Sequence, residues 1–116
     1  MDEQEIFESE VRSNDDLAGV FEHDGDTGYF YLYDLTKGES QRIIAALHMM
    51  SGTADFSADE VAVRWDQNEQ FVGLLIKGKL WAAFEAEGSR PFDGGYGRVE
   101  KSEIPENIRA LFEGKA

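Results

Sequence analysis

Apolar and polar positions alternate most regularly between Phe21 and Asp34. That period of two predicts a β-hairpin. Its arms are Leu17 to His23 and Tyr29 to Leu35, joined by Asp24-Gly25-Asp26-Thr27-Gly28. In the second arm Phe30 and Leu32 face one way and Tyr29, Tyr31 and Tyr33 the other. The first two read as core. The tyrosines are amphipathic enough to lie under a helix or to stay open. Reversing so strongly β-forming a chain calls for Gly25, Gly28 or both at positive φ. Asp24 and Asp26 are then expected exposed at the sheet edge, in front of the tyrosines.

Other patterns flank this hairpin. Glu5 to Val11 reads as a short edge strand with Phe7 and Val11 on one face, although Ile6, Phe7 and Val11 also fit a short helix. Ser13-Asn14-Asp15-Asp16 follows as a turn. After a turn at Thr36-Lys37-Gly38, Ile43, Ile44, Leu47 and Met50 recur at helical spacing around Ala45 and Ala46. The pattern predicts a helix opening at Glu39 or Ser40 and capped at Gly52. Val61, Val63 and Trp65 alternate as a strand, and Asp66 to Glu69 is a polar turn. Phe71 to Ile76 is nearly continuous apolar, as in a central strand. A tight turn at Lys77-Gly78 or Gly78-Lys79 returns the chain through Leu80 to Ala86. A long loop spans Gly88 to Arg98, and Val99 to Ser102 reads as a short strand. Pro105 then opens a final helix carrying Ile108, Leu111 and Phe112 and ending at Gly114. The expected fold is α+β: one antiparallel sheet of about five or six strands with two helices packed on one face.

Composition narrows the picture. The 116 residues suit a single domain, 1–116. An apolar share of 41% supports a folded core despite 30% charged residues. There is no cysteine, which excludes disulfides and thiolate chemistry and fits a reducing cytoplasm. No apolar run approaches the roughly 20 residues that span a bilayer. The acidic start, MDEQEIFESE, does not read as a signal peptide. Net charge is −13, and residues 1–26 carry ten acidic groups against Arg12 alone. Such a field repels phosphate backbones and anionic lipid, so neither nucleic acid nor membrane is expected as a partner.

Candidate chemistry is sparse. The Asp24–Gly28 segment matches a calcium loop at two positions and then fails, because Tyr29 stands where the invariant glycine belongs. His23 and His48 fall on different elements and have no evident third ligand. Glu85 and Glu87 share a strand face, as a carboxylate pair would, but read as a solvated strand end. The segment Asp93-Gly94-Gly95-Tyr96-Gly97-Arg98 lacks the Lys-Ser/Thr of a phosphate loop. Trp65 and Trp81 read as core. No Ser or Thr lies in a nucleophile elbow. No cofactor or metal is expected, and the chain does not read as an enzyme.

The run Phe21-Glu22-His23-Asp24-Gly25-Asp26-Thr27-Gly28-Tyr29-Phe30-Tyr31, with Ala46-Leu47-His48 and a later hairpin carrying Trp65 and Leu75-Ile76, resembles a small bacterial family of uncharacterised proteins. That family, a domain of unknown function, is expected to show Phe-Glu-Asp-Asp-Gly-x-Thr-Gly-Tyr-Phe-Tyr here. This chain departs from it at His23. The resemblance covers most of the chain and implies a bacterial origin, but no activity and no site.

The residues favour a non-enzymatic, acidic protein-binding module. In one version it is an inhibitor or immunity-type protein for a basic partner, met by Glu22, Asp24, Asp26, Tyr29, Tyr31 and Tyr33. The alternative is a small-molecule or metal-binding domain in which the 88–98 loop closes a pocket, with Arg90 and Arg98 as anion anchors and Tyr96 as a lid. A third reading is self-association through an edge strand or the tyrosine face, with −13 per chain holding the molecule to a monomer or weak homodimer.

Overall fold

A computed structural model describes residues 5–96 and 102–113. Its strands are β1 (Ile6–Val11), β2 (Leu17–His23), β3 (Thr27–Asp34), β4 (Ile43–Ser51), β5 (Val61–Trp65), β6 (Phe71–Ile76), β7 (Lys79–Glu85) and β8 (Pro91–Asp93), and one helix follows, α1 (Glu106–Glu113). They form two four-stranded antiparallel meanders, β1-β2-β3-β4 and β5-β6-β7-β8. Phe21, Phe30 and Leu32 of the first sheet meet Val63, Val72, Leu74 and Phe84 of the second in one apolar cluster. Gly19 sits at the closest approach, where a Cβ would run into the side chains of Val72 and Val63.

The antiparallel pairing and the final helix agree with the sequence pattern, but the single sheet and the second helix do not. The segment expected as a helix across Ile43, Ile44, Leu47 and Met50 is the edge strand β4. The reason lies in its pairing with β3. The β3–β4 register shifts twice, from Leu32↔Ala45 to Tyr33↔Ile43 and from Gly28↔Met50 to Tyr29↔His48. Each shift inserts one residue, Ile44 and then Met49, and so breaks the alternation that marks a strand. The spacing left behind imitates a helical stripe, and cross-strand pairing overrides the helix preference of the alanines and leucine. Gly52 does have φ 91, but it serves the turn after a strand rather than a helix cap.

The outer face of the second sheet is covered. Ile108 and Phe112 of α1 pack with Leu75, Leu80, Ala83 and Phe92. Leu111, expected on the same stripe, is exposed. The β6–β7 register shifts after Leu75↔Leu80, and the Leu80 N–H donates to Glu113 at 2.9 Å while Arg109 donates to the Leu80 carbonyl at 3.3 Å. The Arg109–Glu113 pair, 3.0 Å apart, thus holds the helix to the sheet's irregular point. Part of the segment expected as the 88–98 loop is the strand β8. Residues 97–101, which include Arg98 and most of the strand expected at Val99 to Ser102, lie outside the described residues, as does Gly114.

At one margin Arg12 joins the two sheets. It donates to Asp16 through Nε and Nη2, at 3.0 and 2.8 Å, and to the Glu69 carbonyl at 2.9 Å, and it lies over the Trp65 ring. Trp65 and Trp81 are half-buried rather than central.

Candidate functional site: an open aromatic sheet face

Register fixes what the first sheet turns outward. Phe7↔Glu22, Ser9↔Val20 and Val11↔Ala18 pair across β1 and β2. Glu22↔Tyr29, Val20↔Tyr31 and Ala18↔Tyr33 pair across β2 and β3, and Tyr29↔His48 and Tyr31↔Ala46 across β3 and β4. Directly opposed residues share a face. This face therefore displays Phe7, Val11, Glu22, the three tyrosines, Ala46 and His48. Among the described residues no helix covers it. Phe7 is 62%, Val11 44% and Tyr29 36% exposed, and Ile43, opposite Tyr33, is 52% exposed. Among the described residues, then, the tyrosines do not lie under a helix; Tyr29 is exposed and Tyr31 and Tyr33 are half-buried.

The tyrosines form a ladder. Tyr29 and Tyr31 stack with centroids 5.8 Å apart and planes 6° from parallel, and Tyr31 meets Tyr33 edge-on at 6.1 Å. Tyr29 also packs against His48 at 5.1 Å. Partial burial, with the nearby Glu22 charge, holds the Tyr31 hydroxyl above the usual tyrosine range. Glu22 itself forms no hydrogen bond or ion pair with a described residue.

The hairpin tip is built by its own side chains. Asp24 Oδ1 accepts the Asp26 and Thr27 N–H groups, each at 2.9 Å. Those bonds hold the Asp24 carboxyl below its ordinary range, the Thr27 bond most strongly. Gly25 has φ 98, as the turn requires, whereas Gly28 lies within β3 at no such angle. Gly28 is small for another reason: a Cβ there would overlap Met50 Sδ and come to 3.0 Å from the His23 ring. His23 is buried behind the turn. Its Nδ1 accepts the Gly25 N–H at 3.1 Å and its Nε2 lies 3.0 Å from the Gly52 carbonyl, which fixes the Nε2–H tautomer. Asp24 and Asp26 are exposed.

The six expected partner-facing residues therefore lie together, in two parts. Glu22, Tyr29, Tyr31 and Tyr33 are on the open face, and Asp24 and Asp26 are at its tip. A shallow cleft of about 300 Å³ is lined by Glu22, Asp24, Thr27, Tyr29 and Tyr31. Phe7, Val11, Ile43 and His48 extend the face and were not singled out as partner-facing in the sequence. Their signal is the pairing partner of each residue: β2 for Phe7 and Val11, and β3 for Ile43 and His48, where a helical reading of β4 conceals it.

A second cleft of about 420 Å³ adjoins the face, lined by His48, Met49, Met50, Ser51, Thr53, Ala54, Asp55 and Tyr96. Tyr96 donates to Asp55 at 2.5 Å and packs against Trp81. Burial and then the Asp55 bond push its hydroxyl far above the ordinary range. Ser51 Oγ lies 3.2 Å from His48 Nε2. The pair has the residue types of nucleophile and base, but no described residue hydrogen-bonds the other imidazole nitrogen to orient it. Arg90, an expected anion anchor here, instead lies over Phe92. Glu85 and Glu87 line a separate groove beside Arg12. No cluster of three or more His, Asp or Glu suited to a metal occurs among the described residues. No helix there is long and apolar enough to cross a membrane.

The fold is that of an antiparallel β protein with two four-stranded sheets, one outer face packed by a helix and the other, among the described residues, an open aromatic face. The chain belongs to a bacterial family described as "Uncharacterized protein conserved in bacteria (DUF2251)", whose model matches residues 1–110. It is similar to an uncharacterized protein of Haemophilus influenzae, 35% identical over 72 residues. That match covers 60% of this chain and 44% of the relative, so the chain spans less than half the length of that relative. No solved structure matches the chain.

Proposed function

We propose that this protein is a non-enzymatic binding module that receives a basic protein on the open face of its first sheet. The observation that carries the reading is the Tyr29–Tyr31–Tyr33 ladder, which among the described residues has no helix over it and is bordered by Glu22, without a partner there, and by the exposed Asp24 and Asp26. Tyrosine gives large contact area at low entropic cost, and flanking carboxylates steer a basic partner and set its register. An inhibitor or immunity-type role is the specific form of this reading. The absence of cysteine suits a cytoplasmic setting.

Affinity capture from the source bacterium tests it, using the wild type, Tyr31→Ala, Glu22→Lys and Asp26→Asn. The expected partner is basic, is weakened by all three variants, and is released on going from about 0.05 M to about 0.5 M salt. Asp26→Asn should leave folding unchanged. A partner indifferent to salt and to these variants would rule the reading out.

A second reading rests on Tyr96 and Asp55 at the larger cleft: a small-molecule site beside β4. A thermal-shift screen of metals and metabolites tests it. A ligand at about 100 times its Kd should stabilise by about 2.7 kcal/mol, and flat melting across the panel counts against it.

A further inference from the structure

The cleft lined by Glu22, Asp24, Thr27, Tyr29 and Tyr31 has a chemistry narrower than general acidity. Two of its walls are aromatic rings stacked nearly parallel. Its charged groups are two carboxylates of different standing. Asp24 spends Oδ1 on the turn N–H groups, and no bond to its Oδ2 is formed by a described residue. Glu22 has no hydrogen-bond or ion-pair partner among the described residues and stands across the strand from Tyr29 on one side and Phe7 on the other. A carboxylate so flanked is matched by a cation that is flat, weakly hydrated and able to lie against a ring. A guanidinium meets all three conditions, whereas an ammonium is compact and strongly hydrated.

We infer that this cleft is an arginine-reading pocket: it takes one guanidinium from the partner, laid against the Tyr29–Tyr31 ring pair and bonded through its N–H groups to Glu22 and Asp24. The inference rests on the basic-partner reading above and deepens it. Arginine is matched here by geometry as well as charge, because its fixed fork of donors can span two carboxylates while its plane rests on a ring. Lysine supplies only the charge.

Three amidated heptapeptides of alternating glycine and arginine, lysine or citrulline distinguish these contributions. Each is titrated into the full chain and followed by amide chemical shifts. The arginine peptide should move Glu22, Asp24, Thr27, Tyr29 and Tyr31 saturably. The lysine peptide should bind there about fivefold or more weakly, and citrulline, uncharged, should not bind. Glu22→Gln should weaken arginine binding about tenfold, the usual scale for losing a charge-assisted bond. Glu103→Gln makes the same charge change at an exposed site on another segment and should stay within about twofold. Equal binding of arginine and lysine at these residues would overturn the guanidinium inference and leave the basic-partner reading standing. Shifts confined to other surfaces, or equal effects of the two glutamate variants, would overturn both.

Discussion

Single residues set the geometry of the open face from behind. His23 is 1% exposed, and its two ring nitrogens serve Gly25 at the β2–β3 turn and Gly52 after β4. Replacing it with leucine leaves that N–H and that carbonyl without their partner, at about 1–3 kcal/mol for each group kept from water. His23→Leu should therefore lower the urea-unfolding free energy by about 2 kcal/mol or more, and a change below about 0.5 kcal/mol would show that water replaces both bonds. Gly28 was expected to be small because of positive φ. It is extended, and its smallness instead makes room for Met50, His23 and Phe21. Gly28→Ala should then cost about 1–3 kcal/mol through overpacking. The added Met50→Ala change should recover part of that loss. A left-handed glycine would show no such coupling, so a double-mutant cycle separates the two accounts.

Among the elements, α1 explains why the two sheets differ. It is short, with mostly charged and polar residues on its outer side, so docking rather than intrinsic preference sustains it. Phe112 enters where Gly73 leaves space, since a Cβ on Gly73 would come to 3.0 Å from the Phe112 ring. Phe112→Ala should cost about 3–5 kcal/mol, the range for truncating a buried aromatic. Leu111→Ala, one residue away but exposed, should change stability by only about 0.5 kcal/mol. Comparable losses at both positions, measured by urea unfolding, would mean that the helix docks on another face. The first sheet has no such element among the described residues, and its apolar side chains remain available.

Charge acts over the whole molecule. Asp16, Asp24 and Asp34 each lie below the ordinary value of 3.8, held there chiefly by the Arg12 guanidinium, the Thr27 N–H and the Thr36 hydroxyl respectively. A carboxyl with a depressed folded pKa stabilises the fold fully above its unfolded value, and the gain is lost as pH falls through the folded value. Stability should therefore drop below about pH 3.8, and Asp24→Asn, which keeps an acceptor but cannot titrate, should make that acid limb shallower in urea midpoints. An unchanged limb would mean that Asp24 is not coupled to folding. At neutral pH the net charge of −13 opposes compactness. Raising NaCl from about 0.02 to about 0.3 M should raise the melting temperature by a few degrees, on the order of 1 kcal/mol of relieved repulsion. A calorimetric scan in which added salt lowered the transition would contradict this.

Some of this organisation is local and was readable in the chain. The alternation of Phe30 and Leu32 with the three tyrosines fixed both the hairpin and its two faces, because side-chain direction in a strand depends only on position. Gly25 at its turn and Phe112 on the last helix followed from equally local rules, as did the exposure of Asp24 and Asp26. The tertiary structure decided the rest. Whether Ile43 to Ser51 was helix or strand depended on pairing with β3 and on two inserted residues, and no window of sequence contains that partner. Whether the tyrosines lay under a helix depended on the same point, since the segment expected as a helix became their neighbour in the sheet. The grouping of Phe7, Glu22, Tyr29 and His48 on one surface likewise comes from register, which joins residues far apart in the chain and is set by the core beneath them.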